Sequence, residues 1–180
     1  MIVDDPQRLL DAVLRRDLAS FTRKTFHTVD PGSEFLSNWH VDLIADYLMA
    51  CTLGDMKRLI INIPPRFMKT ISVSVAWPAW ILGRDPTQRI MAASYSKDLS
   101  VRASQDCRLV MDSAWYQRIF PNVKIADNQD TKSKFMTSER GFRFSTSVGG
   151  MATGEGGNFL IVDDPLSANQ GFSDKYRLRA

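Results

Sequence analysis

Residues 59–70 read LIINIPPRFMKT, and this stretch says most about the fold. Its first five residues are mostly apolar and β-branched, which predicts a buried strand that ends at Pro64-Pro65. The pattern turns helical from Thr70 to Leu82, and Pro78 is expected to kink or end that helix early. A strand that leads through a short loop into a helix is the basic unit of an α/β sheet.

Two more apolar runs, residues 90–93 and 159–162, predict buried strands of the same kind. Helical sequence separates the three strands, so the chain is predicted to form an α/β fold with a mostly parallel β-sheet flanked by helices. Ligands of such sheets bind at the carboxyl ends of the strands. The chemistry is therefore expected just after Ile63, Ala93 and Val162.

The remaining elements are predicted from periodicity and capping residues. Asp5-Pro6 is expected to begin a first helix whose apolar positions continue to Phe21. Asn38 is expected to begin a second helix that ends at Gly54. The other predicted elements are a long helix over 98–112, a short helix over 115–120, and a hairpin or meander over 134–137 and 141–145.

Length and composition indicate one soluble globular domain. The 180 residues are 44% hydrophobic and 24% charged, enough to bury a core without a disulfide or structural metal. Cys51 and Cys107 have no second ligand nearby in the sequence and are interpreted as packing residues. No apolar run approaches the length that spans a bilayer, and the N-terminus lacks the apolar core of a secretory signal. The formal charge of +3 permits a nucleic-acid partner without requiring one.

The loop at 64–70 contains part of what binds a phosphate group. A phosphate loop turns backbone N–H groups toward the phosphate at a helix N-terminus, and adds a lysine for the oxygens and a hydroxyl for Mg²⁺. Lys69 and Thr70 supply these two groups. However, Met68 stands where the general pattern has a glycine, and Ile63 where it has its first glycine. An exposed Lys-Thr pair, with Thr70 as a simple N-cap, therefore remains an alternative.

The strand at 159–162 is followed by two carboxylates, Asp163 and Asp164. A Walker B segment has this form: the first acid holds Mg²⁺, and the second orients or deprotonates the attacking water. Adjacent carboxylates at a buried strand end are costly unless a cation compensates them. The alternative is that Asp163 caps the next turn while Asp164 lies in solvent. Together with Lys69-Thr70, the two acids favour a P-loop NTPase that uses ATP and Mg²⁺.

Six short motifs follow one another along most of the chain. They are I-P-P-R-x-x-K-T (63–70), S-V-A-W-P-A-W-I-L-G-R-D-P (74–86), A-S-Y-S (93–96), W-Y-x-x-x-F-P (115–121), S-V-G-G-x-x-T-G-x-G-G (147–157) and L-I-V-D-D-P (160–165). This ordered set, from roughly Trp39 to Pro165, resembles the large terminase subunits of tailed phages and prophages. The resemblance implies an ATPase motor that hydrolyses ATP to translocate double-stranded DNA into a procapsid.

The resemblance also implies roles for individual residues. The implied nucleotide-binding residues are Pro65, Arg66, Phe67, Met68, Lys69, Thr70, Trp39 and His40, the last two at the adenine. Thr70 and Asp163 are implied as Mg²⁺ ligands, and Asp164 as the catalytic acid. Arg66 is implied to stabilise charge on the transferred phosphoryl group. A solvated loop residue remains the alternative for Arg66, and an ordinary aromatic helix start the alternative for Trp39-His40. In this branch of the family a bulkier residue often replaces the glycine, as Met68 does.

Domain organisation follows from the same resemblance. Residues 1–55 are expected to form an N-terminal helical segment that leads into an ATPase core over 56–180. The family joins this core to an RNase H-like nuclease, for which the residues after Pro165 are expected to be too few. We therefore expect a fragment without nuclease activity and without the segment that couples hydrolysis to DNA movement. Glu155 stands where relatives are expected to have a basic residue, so an arginine finger there would be lost.

The resemblance implies specific partners and leaves two alternatives. The expected partners are double-stranded DNA, the terminase small subunit, the portal protein and further copies in a homo-oligomeric ring, with no membrane, in the host cytoplasm. One alternative is another P-loop motor, such as a helicase, which shares the nucleotide-binding parts. The other is a truncated, catalytically inactive remnant that binds nucleotide or DNA. The residues at positions 68, 155 and 164 favour this remnant.

Overall fold

A computed structural model of the chain describes residues 5–150, 154–174 and 178. Its centre is a five-stranded sheet. The strands are β1 (Arg89–Ser94), β2 (Ile125–Asp130), β3 (Lys134–Thr137), β4 (Phe142–Ser147) and β5 (Phe159–Val162). Their spatial order is β2-β3-β4-β1-β5. The predicted strands at 90–93 and 159–162 and the hairpin are confirmed as β1, β5 and the β3–β4 pair.

The prediction of a mostly parallel sheet of the P-loop NTPase type is wrong. β1 pairs in parallel with β4 and with β5, but β3 pairs antiparallel with β2 and with β4. The described sheet is therefore mixed, with as many antiparallel as parallel pairs. The physical reason is connection length. Short turns join β2 to β3 and β3 to β4, and parallel neighbours need a crossover of about a dozen or more residues.

The strand predicted over 59–63 does not form. No main-chain hydrogen bond joins these residues to β5 or to any other described strand. Leu59, Ile61 and Ile63 still pack against the core, whereas Ile60 is 84% exposed. Alternate residues of this run therefore contribute to the core without forming a paired strand. A strand also requires a partner edge within hydrogen-bond distance, and an apolar run does not specify one.

The helices mostly match the sequence patterns. They are α1 (Pro6–Arg16), α2 (Leu18–Val29), α3 (Trp39–Leu53), α4 (Trp77–Arg84), α5 (Lys97–Asp112), α6 (Ala114–Ile119) and α7 (Ala168–Gly171). The first predicted helix is in fact two, because Asp17 divides it. The Asp17 N–H bonds to the carbonyl of Val13 at 2.8 Å and ends α1. The Asp17 carboxylate accepts a hydrogen bond from the N–H of Ser20 at 2.8 Å and begins α2.

The helix after the 64–70 loop continues past Pro78, so of the two expected outcomes, a kink or an early end, the early end is wrong. It begins at Lys69, passes through a π-helical turn at Ile71–Ala76 and leads directly into α4. Pro78 has no N–H to offer the carbonyl of Ser74, four residues earlier. The Arg143 guanidinium donates to that carbonyl instead (Nη2 to O, 3.0 Å). An outside donor therefore helps to keep the chain helical across the proline.

One hydrophobic core joins the N-terminal helices to the sheet. Its members include Leu14, Phe21 and Leu48 from the first three helices, packed in one cluster with Trp80 and Ile161. Each of these side chains is buried. The predicted helical segment 1–55 and the predicted core 56–180 therefore share one interior among the described residues.

Candidate functional site

The 64–70 loop has an unusual backbone. Arg66 and Met68 adopt left-handed conformations with φ of 69° and 66°, while Phe67 between them does not. For residues other than glycine this costs roughly 1–2 kcal/mol each. Alternating conformations of this kind turn successive N–H groups to one side and form anion-binding concavities. Met68 thus adopts a conformation that glycine, the residue of the general phosphate-loop pattern, adopts without strain.

The ammonium group of Lys69 lies between the two carboxylates that follow β5. Its Nζ is 3.2 Å from Oδ1 of Asp163 and donates a hydrogen bond to Asp164. Burial disfavours the charged form, but the hydrogen bond to Asp164 and the charge of Asp163 outweigh it. Together they raise the pKa of Lys69 above its ordinary value. Lys69 is therefore the cation that compensates the paired acids in this structure.

Main-chain hydrogen bonds hold the residues after β5 beside the end of β1. The N–H of Asp163 donates to the carbonyl of Ala93, and the N–H of Tyr95 donates to the carbonyl of Asp164, each at 2.9 Å. The Asp163 side chain is 16% exposed and that of Asp164 is 58% exposed. Asp163 is thus an enclosed acid next to Lys69, and Asp164 is open to water.

Ser74 and Arg143 extend this group, and sequence reasoning missed both. The Ser74 hydroxyl donates to Oδ2 of Asp163 at 3.1 Å. Its position one helical turn after Thr70 was a signal that the sequence offered. Arg143 lies in β4, is fully buried and contacts the Ser74 carbonyl. Burial lowers the pKa of its guanidinium. A single arginine within a strand gave no comparable signal.

The predicted Mg²⁺ ligands, Thr70 and Asp163, line one cavity of about 220 Å³ together with Asp164. Within the described ranges, no group of three or more His, Cys, Asp or Glu residues is arranged to hold a metal. Mg²⁺ is commonly bound by one or two carboxylates, with water and substrate phosphates as its other ligands. One hydroxyl and one carboxylate therefore fit a Mg²⁺ that binds together with a nucleotide.

The residues predicted to contact adenine lie beside the loop. The ring centroids of His40 and Phe67 are 5.6 Å apart, and those of Trp39 and His40 are 6.2 Å apart. Trp39 is 71% exposed. The Nε2 atom of His40 is buried and has no hydrogen-bond partner among the described residues. The structure thus brings His40 to Phe67 and leaves Trp39 open to solvent.

Three other positions singled out in the sequence have no contact with the paired acids among the ion pairs and side-chain hydrogen bonds of the described residues. Pro65 and Arg66 are exposed, and Arg66 makes none of the ion pairs found within the described ranges. Glu155 forms an ion pair with Lys134 of β3 at 2.6 Å. Position 155, which is expected to be basic in relatives, is therefore an acid in this chain and is paired with a lysine of β3.

Lys69, the paired acids and Ser74 form one group of contacting side chains between the end of the 64–70 loop and the end of β5. No protein-family model matches this chain, and no curated protein matches it. The function therefore has to be inferred from the geometry of the site and from the ordered motifs. In the part of the chain that the structure describes, no helix has the length and apolar character needed to cross a membrane.

Proposed function

We propose that this chain binds Mg-ATP at the 64–70 loop and hydrolyses it as the ATPase motor of a DNA-packaging terminase large subunit. The observation behind the proposal is that Lys69 and Asp164 are in contact although they lie 95 positions apart. A lysine at a helix start beside a pair of acids is what Mg-nucleotide binding requires. The left-handed loop residues add a concavity for phosphate. The resemblance of the six motifs to terminases supports the packaging role.

Each residue has a separate task in this proposal. The loop N–H groups and the Lys69 ammonium bind the β- and γ-phosphate oxygens. Thr70 and Asp163 hold Mg²⁺, which when bound neutralises charge on the phosphates. Asp164 orients the attacking water and accepts its proton as the water attacks the γ-phosphorus in line and displaces ADP. Arg66 stabilises charge on the transferred phosphoryl group.

Nucleotide binding requires Lys69 to exchange its carboxylate partners for phosphate oxygens. In the structure, Lys69 compensates both acids. Once it turns to the phosphates, Asp163 is free for Mg²⁺ and Asp164 for water. The same lysine thus serves as counter-ion before binding and as ligand after it.

Lys69→Ala tests the binding step. We expect at least tenfold weaker binding of a fluorescent ATP analogue in the presence of Mg²⁺, because the point charge that faces the phosphates is lost. Lys124→Ala, at an exposed lysine outside the site, is the control and should bind like the parent. Equal affinity in Lys69→Ala and the parent would mean that the loop does not bind phosphate.

Asp164→Asn and Asp163→Asn test the roles of the two acids. Asp164→Asn should leave Mg-ATP binding intact and lower the hydrolysis rate about a hundredfold, because an amide does not accept the proton of the water. Asp163→Asn should weaken binding and the Mg²⁺ dependence together. Steady-state ATPase assays and titrations separate these effects. An Asp164→Asn variant with the parental rate would exclude Asp164 as the catalytic acid.

A second candidate function is nucleotide binding without turnover. The ion pair between Glu155 and Lys134 favours it, since an acid occupies the position expected to be basic. ATPase assays with and without double-stranded DNA separate the candidates. DNA-stimulated turnover supports the packaging motor, for which the small subunit, the portal protein and a ring of copies are the proposed partners. Undetectable turnover with Lys69-dependent binding supports the binding function. Strand separation would identify a helicase.

A further inference from the structure

Arg143 is the most deeply buried charged residue near the site. It is fully buried in β4, and its Nε atom has no hydrogen-bond partner among the described residues. Its guanidinium donates to the Ser145 hydroxyl and to the Ser74 carbonyl. Asp106 faces the same 220 Å³ cavity, yet no described carboxylate forms an ion pair with Arg143. A guanidinium this poorly compensated is costly to bury, so its contacts require an explanation.

The contact with Ser74 has a specific structural consequence. Pro78 leaves the Ser74 carbonyl without its usual helical donor, and Nη2 of Arg143 supplies one at 3.0 Å. Ser74 lies inside the π-helical turn at Ile71–Ala76. π-helical turns within α-helices often occur at functional sites. Arg143 therefore fixes the part of the helix in which Ser74 lies.

Ser74 in turn fixes the carboxylate of Asp163. Its hydroxyl donates to Oδ2 at 3.1 Å, while Lys69 lies 3.2 Å from Oδ1. The two oxygens of Asp163 thus have different partners: Oδ2 accepts a hydrogen bond from Ser74, and Oδ1 lies against Lys69. Oδ1 becomes available when Lys69 turns to phosphate.

We propose that Arg143 is a positioning residue for Asp163 and acts through Ser74. Arg143 holds the Ser74 carbonyl, the Ser74 hydroxyl holds Oδ2, and Oδ1 is thereby presented to Mg²⁺. This inference rests on the proposed Mg-ATP binding. It concerns Arg143 and Ser74, which belong neither to the phosphate-loop pattern nor to the paired acids.

Ser74→Ala and Ser72→Ala form a matched pair that tests the inference. Both serines are buried in the same π-helical turn, but the Ser72 hydroxyl has no partner in the described chain. The readout is the Mg²⁺ concentration that gives half-maximal binding of a fluorescent ATP analogue, measured without turnover. We expect Ser74→Ala to raise this concentration about tenfold, equivalent to about 1.4 kcal/mol. Ser72→Ala should leave it unchanged.

Arg143→Met and Arg143→Lys test the contact between Arg143 and the Ser74 carbonyl. Arg143→Met should raise the Mg²⁺ requirement as Ser74→Ala does, and combining the two should add little, because both break one chain of contacts. Arg143→Lys should keep the Mg²⁺ requirement close to that of the parent, because an ammonium can also donate to the Ser74 carbonyl. Thermal unfolding of each variant separates this effect from lost stability. If Arg143→Met does not fold, the comparison of Ser74→Ala with Ser72→Ala still tests the positioning role.

Two outcomes overturn different statements. A parental Mg²⁺ requirement in Ser74→Ala, in a protein whose binding still depends on Lys69, overturns the positioning role and leaves the proposed function standing. An equal rise in Ser72→Ala and Ser74→Ala also overturns it, because general damage to the helix would then explain both. If Lys69→Ala binds the ATP analogue as tightly as the parent does, the proposed function itself is overturned.

Discussion

Met68 and Arg66 show how single residues in the 64–70 loop are held in conformations that their side chains disfavour. Their positive φ angles persist because the loop is fixed at both ends. The helix begins at Lys69 on one side, and Ile63 packs against the core on the other. Strain of this kind often marks functional sites. Position 68 is one at which the general phosphate-loop pattern has glycine, and glycine adopts this conformation without strain.

Met68→Gly is therefore expected to stabilise the chain. Removing the side chain relieves roughly 1–2 kcal/mol of left-handed strain, and the greater freedom of glycine in the unfolded chain offsets part of this. We expect a net gain of about 0.5–1 kcal/mol in the free energy of unfolding, measured in urea. Arg140→Gly is the control, since Arg140 has a φ of 72° in the turn between β3 and β4. It should stabilise similarly, and neither variant should lose Mg-ATP binding. A destabilised Met68→Gly would show that packing of the methionine outweighs the strain.

At the scale of elements, side-chain contacts to α6 hold α1 in place. Nε and Nη2 of Arg118 donate to the Asp11 carboxylate at 2.7 and 3.0 Å. Nε of Arg15 donates to the carbonyl of Ile119 at 2.7 Å. Asp11 is buried, so its charge depends on the Arg118 guanidinium. The attachment of the first helix is therefore partly electrostatic.

This attachment is expected to weaken in acid. The hydrogen bond from Arg118 lowers the pKa of Asp11 below its ordinary value of 3.8 in spite of burial. The folded state therefore releases the proton more readily than the unfolded state. The stabilisation is fully present above the ordinary value and is lost as pH falls through the lowered one. Asp11→Asn should be less stable than the parent at neutral pH, and the difference should shrink below about pH 4.

Urea unfolding at several pH values, with Asp46→Asn as the control, tests this expectation. Asp46 is exposed on α3, and its replacement should have little effect at any pH. A difference between Asp11→Asn and the parent that stays constant from neutral to acid pH would mean that the charge of Asp11 does not stabilise the helix.

At the scale of the whole molecule, the shared core predicts one cooperative unfolding transition. Leu48 of α3, Trp80 of α4 and Ile161 of β5 belong to one buried cluster. Far-ultraviolet circular dichroism and tryptophan fluorescence should therefore give the same midpoint. Leu48→Ala should lower the stability seen by both probes by about 2–4 kcal/mol. Separate transitions, with Leu48→Ala shifting only one, would show that residues 1–55 unfold as an independent unit.

The sequence predicted the elements whose signals are local. The caps at Asp5, Asn38 and Gly54 and the apolar runs of β1 and β5 are local signals, and the structure confirms these element boundaries closely. Local patterns also predict a role for Lys69, Thr70, Asp163 and Asp164, whereas the roles of Trp39, His40 and Arg66 follow only from the resemblance. The structure brings Lys69, Asp163 and Asp164 into contact.

Only the tertiary structure decided which elements are neighbours. The run at 59–63 looks like a strand but makes no main-chain hydrogen bond to any described strand, and the short turns around β3 make the sheet mixed. Pro78 ends a helix in isolation, but Arg143 supplies the missing donor from a strand far away in the chain. Ser74 became a candidate only when the end of β5 was placed beside it. The physical reason is the same in each case. Capping and periodicity act over a few residues, whereas strand pairing and buried hydrogen bonds depend on groups that approach only after the chain has folded.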